Sequence, residues 1–493
     1  MKTLRPYQSE AIERLRQALR RGSKRVVLQL PTGGGKTLIA SEIISMAIAK
    51  GKRVIFTCPR LQLIDQTARA FWDHGIREIG VMQSDHVMTD PSKPVQICSV
   101  QTLQRRTIPD ADLVLIDECH MMSKFVVDWM GRMEWAGVPF IGLSATPWAN
   151  GMARLYDELI ISATTRQMID EGYLSKFRVF APSHPDLTGV KIVAGDYHEG
   201  QLSEAMQSGS LVGDIVSTWL ARAEHRPTLV FAVDRAHAKA IQRAFEAAGV
   251  PCGYVDGNTP TDERETIKKA FHSGRYEVVS SIGVLTTGVD WDVRCIILAR
   301  PTRSEMLYVQ IVGRGLRTAE GKEDCLLFDH SDTTQRLGFV TDIHHDRLKN
   351  TRMDEAGKRE RQPPKPKECS SCSFLKPIGV HKCPNCGFEP ERQPTVETVP
   401  GELVELSSAR KAKANREASW SEKEAFIADL KAYAIERGYK SGWWANQYRQ
   451  KYGVWPNDPH VRYALPSSEV SMTTRAWIQS QNIRWAKRKE RQA

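Results

Sequence analysis

Val26-Val27-Leu28-Gln29-Leu30-Pro31-Thr32-Gly33-Gly34-Gly35-Lys36-Thr37-Leu38-Ile39-Ala40 is the stretch that decides the fold. A short apolar, β-branched run stops at a proline, three glycines follow, and apolar residues then recur at helical spacing. That order predicts a strand, a tight loop and a helix, which is the context that a phosphate-binding loop requires. The glycines let backbone N–H groups turn inward, and the N-terminus of the new helix adds positive potential at the same place.

The side chains of this loop have the chemistry to hold ATP and Mg²⁺. The Lys36 ammonium can reach the β- and γ-phosphates, and the Thr37 hydroxyl can bind the metal. Leu30 departs from the general pattern, because it stands where the first glycine is expected. The alternative is a glycine-rich turn with a chance Lys-Thr pair. The predicted nucleotide-binding residues of this stretch are Thr32, Gly33, Gly34, Gly35, Lys36 and Thr37.

Length and composition bound the remaining possibilities. A chain of 493 residues predicts about three or four domains, and it has no apolar run near the length of a membrane span. The first residues lack the apolar core of a signal peptide, so we expect a cytoplasmic protein without a membrane partner. Six of the ten cysteines are scattered and four are clustered, which favours a reducing compartment and one metal site over a disulfide framework.

The formal charge of +11 is concentrated late in the chain. From residue 341 onward there are 28 Lys and Arg against 19 Asp and Glu, and six of the twelve tryptophans lie there too. A basic excess suits a polyanionic partner such as nucleic acid. A mildly basic, solvated surface is the alternative.

A pair of carboxylates ends a second buried strand. Leu113-Val114-Leu115-Ile116 is an apolar run, and Asp117 and Glu118 follow it directly. Burying two carboxylates unpaired is expensive, and a Mg²⁺ ion held by the glycine-rich loop would offset that cost. Asp117 would then hold the metal through water, and Glu118 would orient and deprotonate the water that attacks the γ-phosphate. The alternative is an acidic helix N-cap.

Five motifs in one order resemble the superfamily 2 helicases, the DEAD/DEAH-like group: PTGGGKT, TCPRLQLIDQT, SVQTL, DECH and SATP. The resemblance covers roughly residues 1–345. It implies an α/β fold of two tandem RecA-like parallel-sheet domains, with ATP in the cleft and nucleic acid across the top. Gln8 matches the residue near the adenine in this family, and Ser144 and Thr146 of SATP are expected to sense the γ-phosphate.

The resemblance also implies a second domain whose arginines complete the site. Gln310-Ile311-Val312-Gly313-Arg314-Gly315-Leu316-Arg317 is predicted as a helix with both arginines on one face. In the family, the matching arginines reach across the cleft to the γ-phosphate, and Gln310 lies beside them. Gly288 and Asp290 match the fifth motif of the family and are expected at the nucleotide. A basic helix face in solvent is the alternative.

Two C-x₂-C pairs predict a metal site in the tail. Cys369 and Cys372 are followed, after ten residues, by Cys383 and Cys386. The pattern resembles a zinc ribbon with a tetrahedral Cys₄ site for Zn²⁺. Four thiolates leave no open position for catalysis, so we expect a structural metal. His381 is adjacent and is expected at the surface.

The residues after a polar linker combine tryptophans with Lys and Arg. Single strands can stack on aromatic rings in a positive groove. The favoured interpretation is a small, mostly helical domain that uses its tryptophans as core.

The sequence therefore predicts an ATP- and Mg²⁺-dependent nucleic-acid motor, a DNA helicase or translocase. DNA is preferred over RNA because DECH with PTGGGKT resembles the restriction- and repair-type motors. The alternatives are a double-strand translocase without unwinding, an RNA helicase, and a recruiting subunit that docks a protein partner through the zinc ribbon or the C-terminal domain. The expected divisions are 1–160 and 206–345 for the RecA-like domains, 161–205 for a connector, 366–390 for the zinc ribbon and 415–493 for the basic C-terminal domain.

Overall fold

The computed structural model divides into two compact units, Met1–Glu391 and Arg392–Ala493. It describes residues 3–193, 195–206, 209–285, 291–350, 365–390, 418–440 and 442–492, without the side chains of Gln62, 209–210 and 483–492. Gly288 and Asp290 lie outside the described residues. Within these ranges, no helix is both long enough and apolar enough to cross a membrane.

The first lobe is built on a seven-stranded parallel sheet in the order β3-β4-β2-β5-β6-β1-β7. Its central strands are buried along their length, because helices cover both faces of the sheet. The carboxyl ends of β1, β5 and β6 therefore meet at one edge. The strands are β1 Arg25–Gln29, β2 Val54–Cys58, β3 Ile79–Met82, β4 Val95–Ser99, β5 Leu113–Asp117, β6 Phe140–Ser144 and β7 Glu158–Ile161.

The second lobe is a six-stranded parallel sheet in the order β12-β13-β11-β14-β15-β8. Two parallel sheets confirm the predicted fold class. Strand β8 comes from the segment 161–205 that was expected to be only a connector, and it pairs with β15 at the sheet edge. A short hairpin of β9 and β10 follows it. The strands are β8 Lys176–Phe180, β9 Ile192–Val193, β10 Asp196–Tyr197, β11 Thr228–Phe231, β12 Cys252–Val255, β13 Val278–Ser281, β14 Cys295–Leu298 and β15 Asp324–Asp329.

Helices connect the strands of both lobes. Several begin at a side chain that accepts a backbone N–H, such as Asp234 before α10 and Ser304 before α12, which satisfies an otherwise unpaired donor. In the first lobe they are α1 Pro6–Arg20, α2 Lys36–Ile48, α3 Ile64–Asp73, α4 Val100–Leu103, α5 Lys124–Met130, α6 Met152–Leu155 and α7 Thr165–Asp170. In the second they are α8 Glu199–Met206, α9 Gly209–Arg222, α10 Arg235–Ala247, α11 Thr261–His272, α12 Glu305–Gly315 and α13 Thr333–Leu337.

A small cysteine module packs on the second lobe. Its two strands, β16 Lys367–Glu368 and β17 Leu375–Lys376, form an antiparallel hairpin. The Phe374 ring packs against Phe180 of β8 at 5.5 Å, and the Ser373 carbonyl accepts the Ala181 N–H at 2.9 Å. The module is therefore anchored to the edge strand of the second sheet.

The second unit is helical, as predicted, with helices α14 Trp420–Glu436, α15 Trp443–Tyr452, α16 Pro459–Arg462 and α17 Met472–Gln492. Its core is formed by Phe426, Ile427, Leu430, Tyr448, Tyr452, Val461 and Ile478. Trp443, Trp444 and Trp477 pack on this core, as the favoured interpretation expected. Trp420 and Trp455 do not, since they are 59% and 45% exposed.

Candidate nucleotide site

The glycine-rich loop joins β1 to α2 as predicted. Gly33 and Gly35 adopt left-handed φ values of 86° and 82°, which side chains other than glycine rarely tolerate. A Cβ atom on Gly34 would lie 2.9 Å from the Pro31 carbonyl oxygen. Gly35 is the N-cap of α2, so the helix begins at Lys36. All three glycines are thus required by the path of the backbone.

Two side chains of helix α1 bind the backbone of this loop. The Tyr7 hydroxyl and the Gln8 amide both donate to the Gly34 carbonyl at 2.9 Å. The Gln8 side-chain oxygen accepts the Arg5 N–H at 2.9 Å, and Gln8 is buried. Gln8 therefore positions the loop backbone with both of its polar ends. The family resemblance places the Tyr7-Gln8 pair near the adenine, but it did not predict the bond from Tyr7 to the loop backbone.

Lys36, Asp117 and Glu118 form a buried charge cluster at the carboxyl end of β5. The Lys36 ammonium donates to Glu118 Oε1. Burial opposes the charged form of Lys36, but the attraction of Glu118 and Asp117 outweighs it and raises the pKa of Lys36. Burial raises the pKa of Asp117 to about 6, against the pull of Lys36. Burial also acts on Glu118, yet the charge of Lys36 and the hydrogen bond from it lower the pKa of that carboxyl.

Glu118 has two features that its neighbours lack. Its backbone φ is 47°, a left-handed conformation that costs a non-glycine residue on the order of 1–3 kcal/mol. Its Oε2 atom is buried and makes no hydrogen bond within the described part of the chain, although His120 Nδ1 lies 3.4 Å away. A buried carboxylate oxygen of this kind has a free lone pair for one water molecule.

His120 and Ser144 extend the cluster toward the second lobe. His120 Nδ1 lies 2.8 Å from Ser144 Oγ, which also accepts the Thr146 N–H at 3.0 Å. The Gln310 amide nitrogen lies 3.2 Å from both His120 Nε2 and Thr146 Oγ1. Burial lowers the pKa of His120, so the neutral ring accepts from Gln310 at Nε2 and donates from Nδ1. Sequence reasoning did not identify this role of His120.

The Gly313–Thr32 contact brings helix α12 of the second lobe against the glycine-rich loop. A Cβ atom on Gly313 would lie 2.6 Å from Thr32 Cβ, so only glycine permits this approach. Arg314 is 6% exposed. Burial raises the pKa of Glu118, and the charge of Arg314 lowers it, although less than the charge of Lys36 does. The Arg317 side chain passes 3.3 Å from the Cβ position of Gly33.

The prediction that the helix continues through Arg317 was wrong. Helix α12 stops at Gly315, and Arg317 forms an antiparallel bridge with Leu174. The Ser175 N–H donates to the Leu316 carbonyl at 2.7 Å, which takes the backbone out of the helix. The two arginines therefore approach the loop from a helix and from an extended segment, and not from one helical face.

The sequence did not predict a second connection between the lobes. The Trp148 ring, just after SATP, packs 4.8 Å from His345, and His345 Nε2 lies 2.7 Å from Glu305 Oε2 at the start of α12. The Lys349 carbonyl accepts the N–H groups of Gly151 and Ala153 at 3.0 and 3.1 Å. Residues after the second sheet thus return to the first lobe.

The four predicted metal cysteines converge. Their sulfurs all lie within 4.8 Å of one another, and Cys369–Cys386 and Cys372–Cys383 are each 3.7 Å apart. Tetrahedral Zn–S bonds of about 2.3 Å place two sulfurs roughly 3.8 Å apart. The cluster therefore has the ligand type and the spacing of a Cys₄ site. His381 is not a member of the cluster.

Comparisons with known proteins agree with this architecture. A model described as "Type III restriction enzyme, res subunit" matches residues 1–148, and one described as "Helicase conserved C-terminal domain" matches residues 211–319. A 51.5 kDa protein of a Lactococcus phage is 27% identical over 369 residues, which cover 74% of this chain and 78% of the phage protein.

The putative ATP-dependent helicase IRC3 of Saccharomyces cerevisiae is 30% identical over 355 residues, 66% of this chain. The chain spans 51% of IRC3. A fragment of a putative HsdR subunit of a type I restriction enzyme from Vibrio vulnificus superposes with a TM-score of 0.54 at 23% identity, covering 69% of this chain and 66% of that one. The chain belongs to the superfamily 2 helicases of the restriction and repair type, and it is a helicase-family ATP hydrolase.

Proposed function

We propose that this chain is an ATP- and Mg²⁺-dependent motor that moves along DNA. The observation that carries the proposal is the contact of Gly313 with Thr32, which brings the second lobe against the loop that binds phosphate. With half of the site on each lobe, hydrolysis requires the cleft to close. ATP turnover is then converted into relative motion of the lobes and into movement along the strand.

The first lobe supplies the groups that activate water. Glu118 orients and deprotonates the water that attacks the γ-phosphate, and the buried, unbonded Oε2 is the atom that receives the proton. Lys36 leaves Glu118 and pairs with the β- and γ-phosphates when ATP binds. Releasing Glu118 from Lys36 makes this carboxylate a stronger base in the presence of ATP.

Asp117 and Thr37 fit a magnesium ion. Asp117 is a carboxylate whose raised pKa reflects burial, so a nearby cation would favour its charged form. Thr37 stands in the first turn of α2, directly after Lys36. When bound, Mg²⁺ neutralises phosphate charge during phosphoryl transfer.

The second lobe supplies Arg314 and Arg317. Guanidinium groups remain charged when buried and can pair with phosphate oxygens in a bidentate manner. The two arginines stabilise the charge that develops on the transferring phosphoryl group. Gln310 couples the second lobe to the nucleotide site, because it bonds His120 and Thr146 across the cleft. Gly288 and Asp290 stay predicted contacts of the nucleotide.

The Cys₄ cluster would hold Zn²⁺ as a structural ion. The module has only two short strands and a few buried apolar residues, so its fold depends on the metal. We also propose cytoplasmic residence, because six scattered and four clustered cysteines in the sequence are typical of a protein from a reducing compartment.

DNA is favoured over RNA because the model described as a restriction-enzyme subunit matches residues 1–148 of this chain. Restriction enzymes act on DNA, and this preference is an analogy with them. A duplex translocase without unwinding and an RNA helicase use the same nucleotide site. A recruiting subunit without turnover is disfavoured by the intact Lys36, Asp117 and Glu118.

Titration of the ATPase with nucleic acids tests the proposal. We expect DNA to stimulate hydrolysis more strongly than RNA of the same sequence. Comparing single-stranded with duplex DNA, beside a strand-displacement assay, separates a helicase from a duplex translocase. Stimulation by RNA alone would contradict a DNA motor, and turnover without response to any nucleic acid would contradict a motor altogether.

A further inference from the structure

Lys322 lies in the segment between Arg317 and strand β15, outside the motifs quoted above. Its ammonium donates to the Val293 carbonyl at 2.6 Å, to the Gly315 carbonyl at 2.6 Å and to the Arg317 carbonyl at 2.7 Å. An ammonium group has three donors, so backbone carbonyls use all of them. Lys322 therefore connects the residues before β14, the last residue of α12 and the segment that follows this helix.

The carbonyls at the end of α12 need donors from outside the helix. Helix α12 ends at Gly315, and the last carbonyls of an α-helix lack intrahelical donors. The Leu316 carbonyl accepts the Ser175 N–H at 2.7 Å, and the Ser175 hydroxyl donates to the Arg317 carbonyl at 3.2 Å. With the two bonds from Lys322, all three carbonyls from 315 to 317 are bonded, which fixes the backbone at this point.

Arg317 is the residue through which this network reaches the glycine-rich loop. Its Cγ atom lies 3.3 Å from the position that a Cβ atom on Gly33 would take. Leu174, which pairs with Arg317 in an antiparallel bridge, has its Cδ2 atom 3.0 Å from the same position. The backbone that Lys322 holds therefore determines where the Arg317 side chain starts beside the loop.

We propose that Lys322 is a positioning residue for ATP hydrolysis, which holds the backbone of Arg317 so that its guanidinium reaches the γ-phosphate. The inference rests on the proposed function, because it requires Arg317 to act on the nucleotide. Burial lowers the pKa of Lys322, so the ammonium stands largely out of water, where its bonds to carbonyls are stronger. The ammonium acts through Arg317 and not on phosphate, since its three donors are occupied.

Single-turnover hydrolysis of ATP by the full chain tests the proposal. Lys322→Met keeps the aliphatic stem and removes the three donors. The rate should fall on the order of ten- to hundredfold, because a displacement of about 1 Å at a catalytic group has a cost of that size. Affinity for ATP should stay near that of the wild type, since the arginine acts on charge that develops in the transition state.

Lys431→Met in the helical unit is the matched control. The Lys431 ammonium donates to the Arg462 and Ala464 carbonyls at 2.7 Å each, and burial lowers its pKa as well. Both variants should lower the midpoint of thermal unfolding, because each loses bonds to backbone carbonyls. Only Lys322→Met should slow hydrolysis per bound ATP. Equal rates of hydrolysis in the two variants would overturn the proposal.

Combination with Arg317→Ala shows whether Lys322 acts through Arg317. In a chain that already lacks the Arg317 side chain, Lys322→Met should cause no further loss of rate, because the two changes remove one effect. A further loss as large as that in the wild-type background would place the effect of Lys322 elsewhere and overturn the proposal. If Lys322→Met does not fold, Lys322→Gln, which keeps two amide donors, takes its place in the same cycle.

The same variants separate this inference from the proposed function. Wild-type hydrolysis by Arg317→Ala would contradict the role of Arg317 in the proposed function. Slow hydrolysis by Arg317→Ala together with wild-type hydrolysis by Lys322→Met would overturn only the positioning by Lys322.

Discussion

The Gln310 amide donates to Thr146 Oγ1 at 3.2 Å and so joins the second lobe to the SATP motif of the first. The same nitrogen lies 3.2 Å from His120 Nε2, beside the Asp117–Glu118 pair. One side chain thus contacts both the DECH and the SATP motifs. We interpret this contact as the link between the state of the nucleotide and the position of the lobes.

Gln310→Ala should uncouple hydrolysis from nucleic acid. Loss of two hydrogen bonds should reduce DNA-stimulated kcat on the order of tenfold, and ATP affinity should stay near that of the wild type. The measurement is steady-state ATPase with and without DNA. Gln242→Ala on α10 is the control, since its amide bonds Glu246 and Cys252 within its own lobe. Full stimulation of Gln310→Ala would contradict the link.

Gly313→Ala should block closure of the cleft. The added methyl carbon would lie 2.6 Å from Thr32 Cβ, so the helix must move away from the loop. A shift of about 1 Å at a catalytic group costs on the order of a hundredfold, and we expect that loss in kcat. Gly213→Ala on α9 is the control, because a Cβ there meets no atom within 4 Å. A Gly313→Ala enzyme with wild-type turnover would show that the contact is dispensable.

Glu118→Gln should abolish turnover while ATP still binds. The amide keeps the shape of the side chain but cannot take a proton, which removes a factor of about 10²–10⁴. Single-turnover hydrolysis and equilibrium binding of labelled ATP measure the two effects separately. Undiminished hydrolysis would exclude Glu118 as the base.

Removal of metal should affect the cysteine module and leave the nucleotide site folded. We expect one zinc per chain, and Cys372→Ser should lose it because three thiolates hold the ion less tightly. Cys252→Ala, buried in the second lobe, is the control and should keep the metal. Metal content is measured after dialysis. A full complement of zinc in Cys372→Ser would place the ion elsewhere.

Two buried histidines should make the second lobe sensitive to acid. Burial lowers the pKa of His237 to about 4 and that of His330 to about 3. In the unfolded chain, the pKa of each histidine returns to about 6.5. The two neutral rings therefore contribute their full stabilisation above pH 6.5, and this contribution is lost as the pH falls toward the pKa values of the folded protein. Between pH 7 and 5, each histidine should lower the free energy of unfolding by about 2 kcal/mol.

Hydrogen exchange of the β11 and β13 amides at several pH values measures this loss. His237→Gln removes one titrating group and should flatten the pH dependence by about half, whatever its stability at pH 7. An unchanged slope in this variant would contradict a neutral, buried His237.

The fold was predictable because its signals are local. The apolar runs that end at Pro31 and Asp117 define strands and their carboxyl ends without knowledge of any partner. Parallel pairing then brings those ends together. The same reasoning predicted the four cysteines, since C-x₂-C spacing is a property of the sequence alone.

What was missed depends on contacts between distant segments. The end of α12 at Gly315 is imposed by pairing of Arg317 with Leu174, and periodicity carries no information about that bridge. Tyr7 and His120 act through atoms of Gly34 and Gln310, which only the folded chain brings near. The roles of the arginines stay predictions that kinetics must decide.

The most direct test of a nucleotide pocket shared by two lobes is single-turnover release of γ-phosphate by Arg314→Ala at saturating ATP. We predict ATP affinity close to that of the wild type and a rate lower by about 10³–10⁵. Wild-type release by this variant would show that the first lobe hydrolyses ATP alone, and would contradict the account.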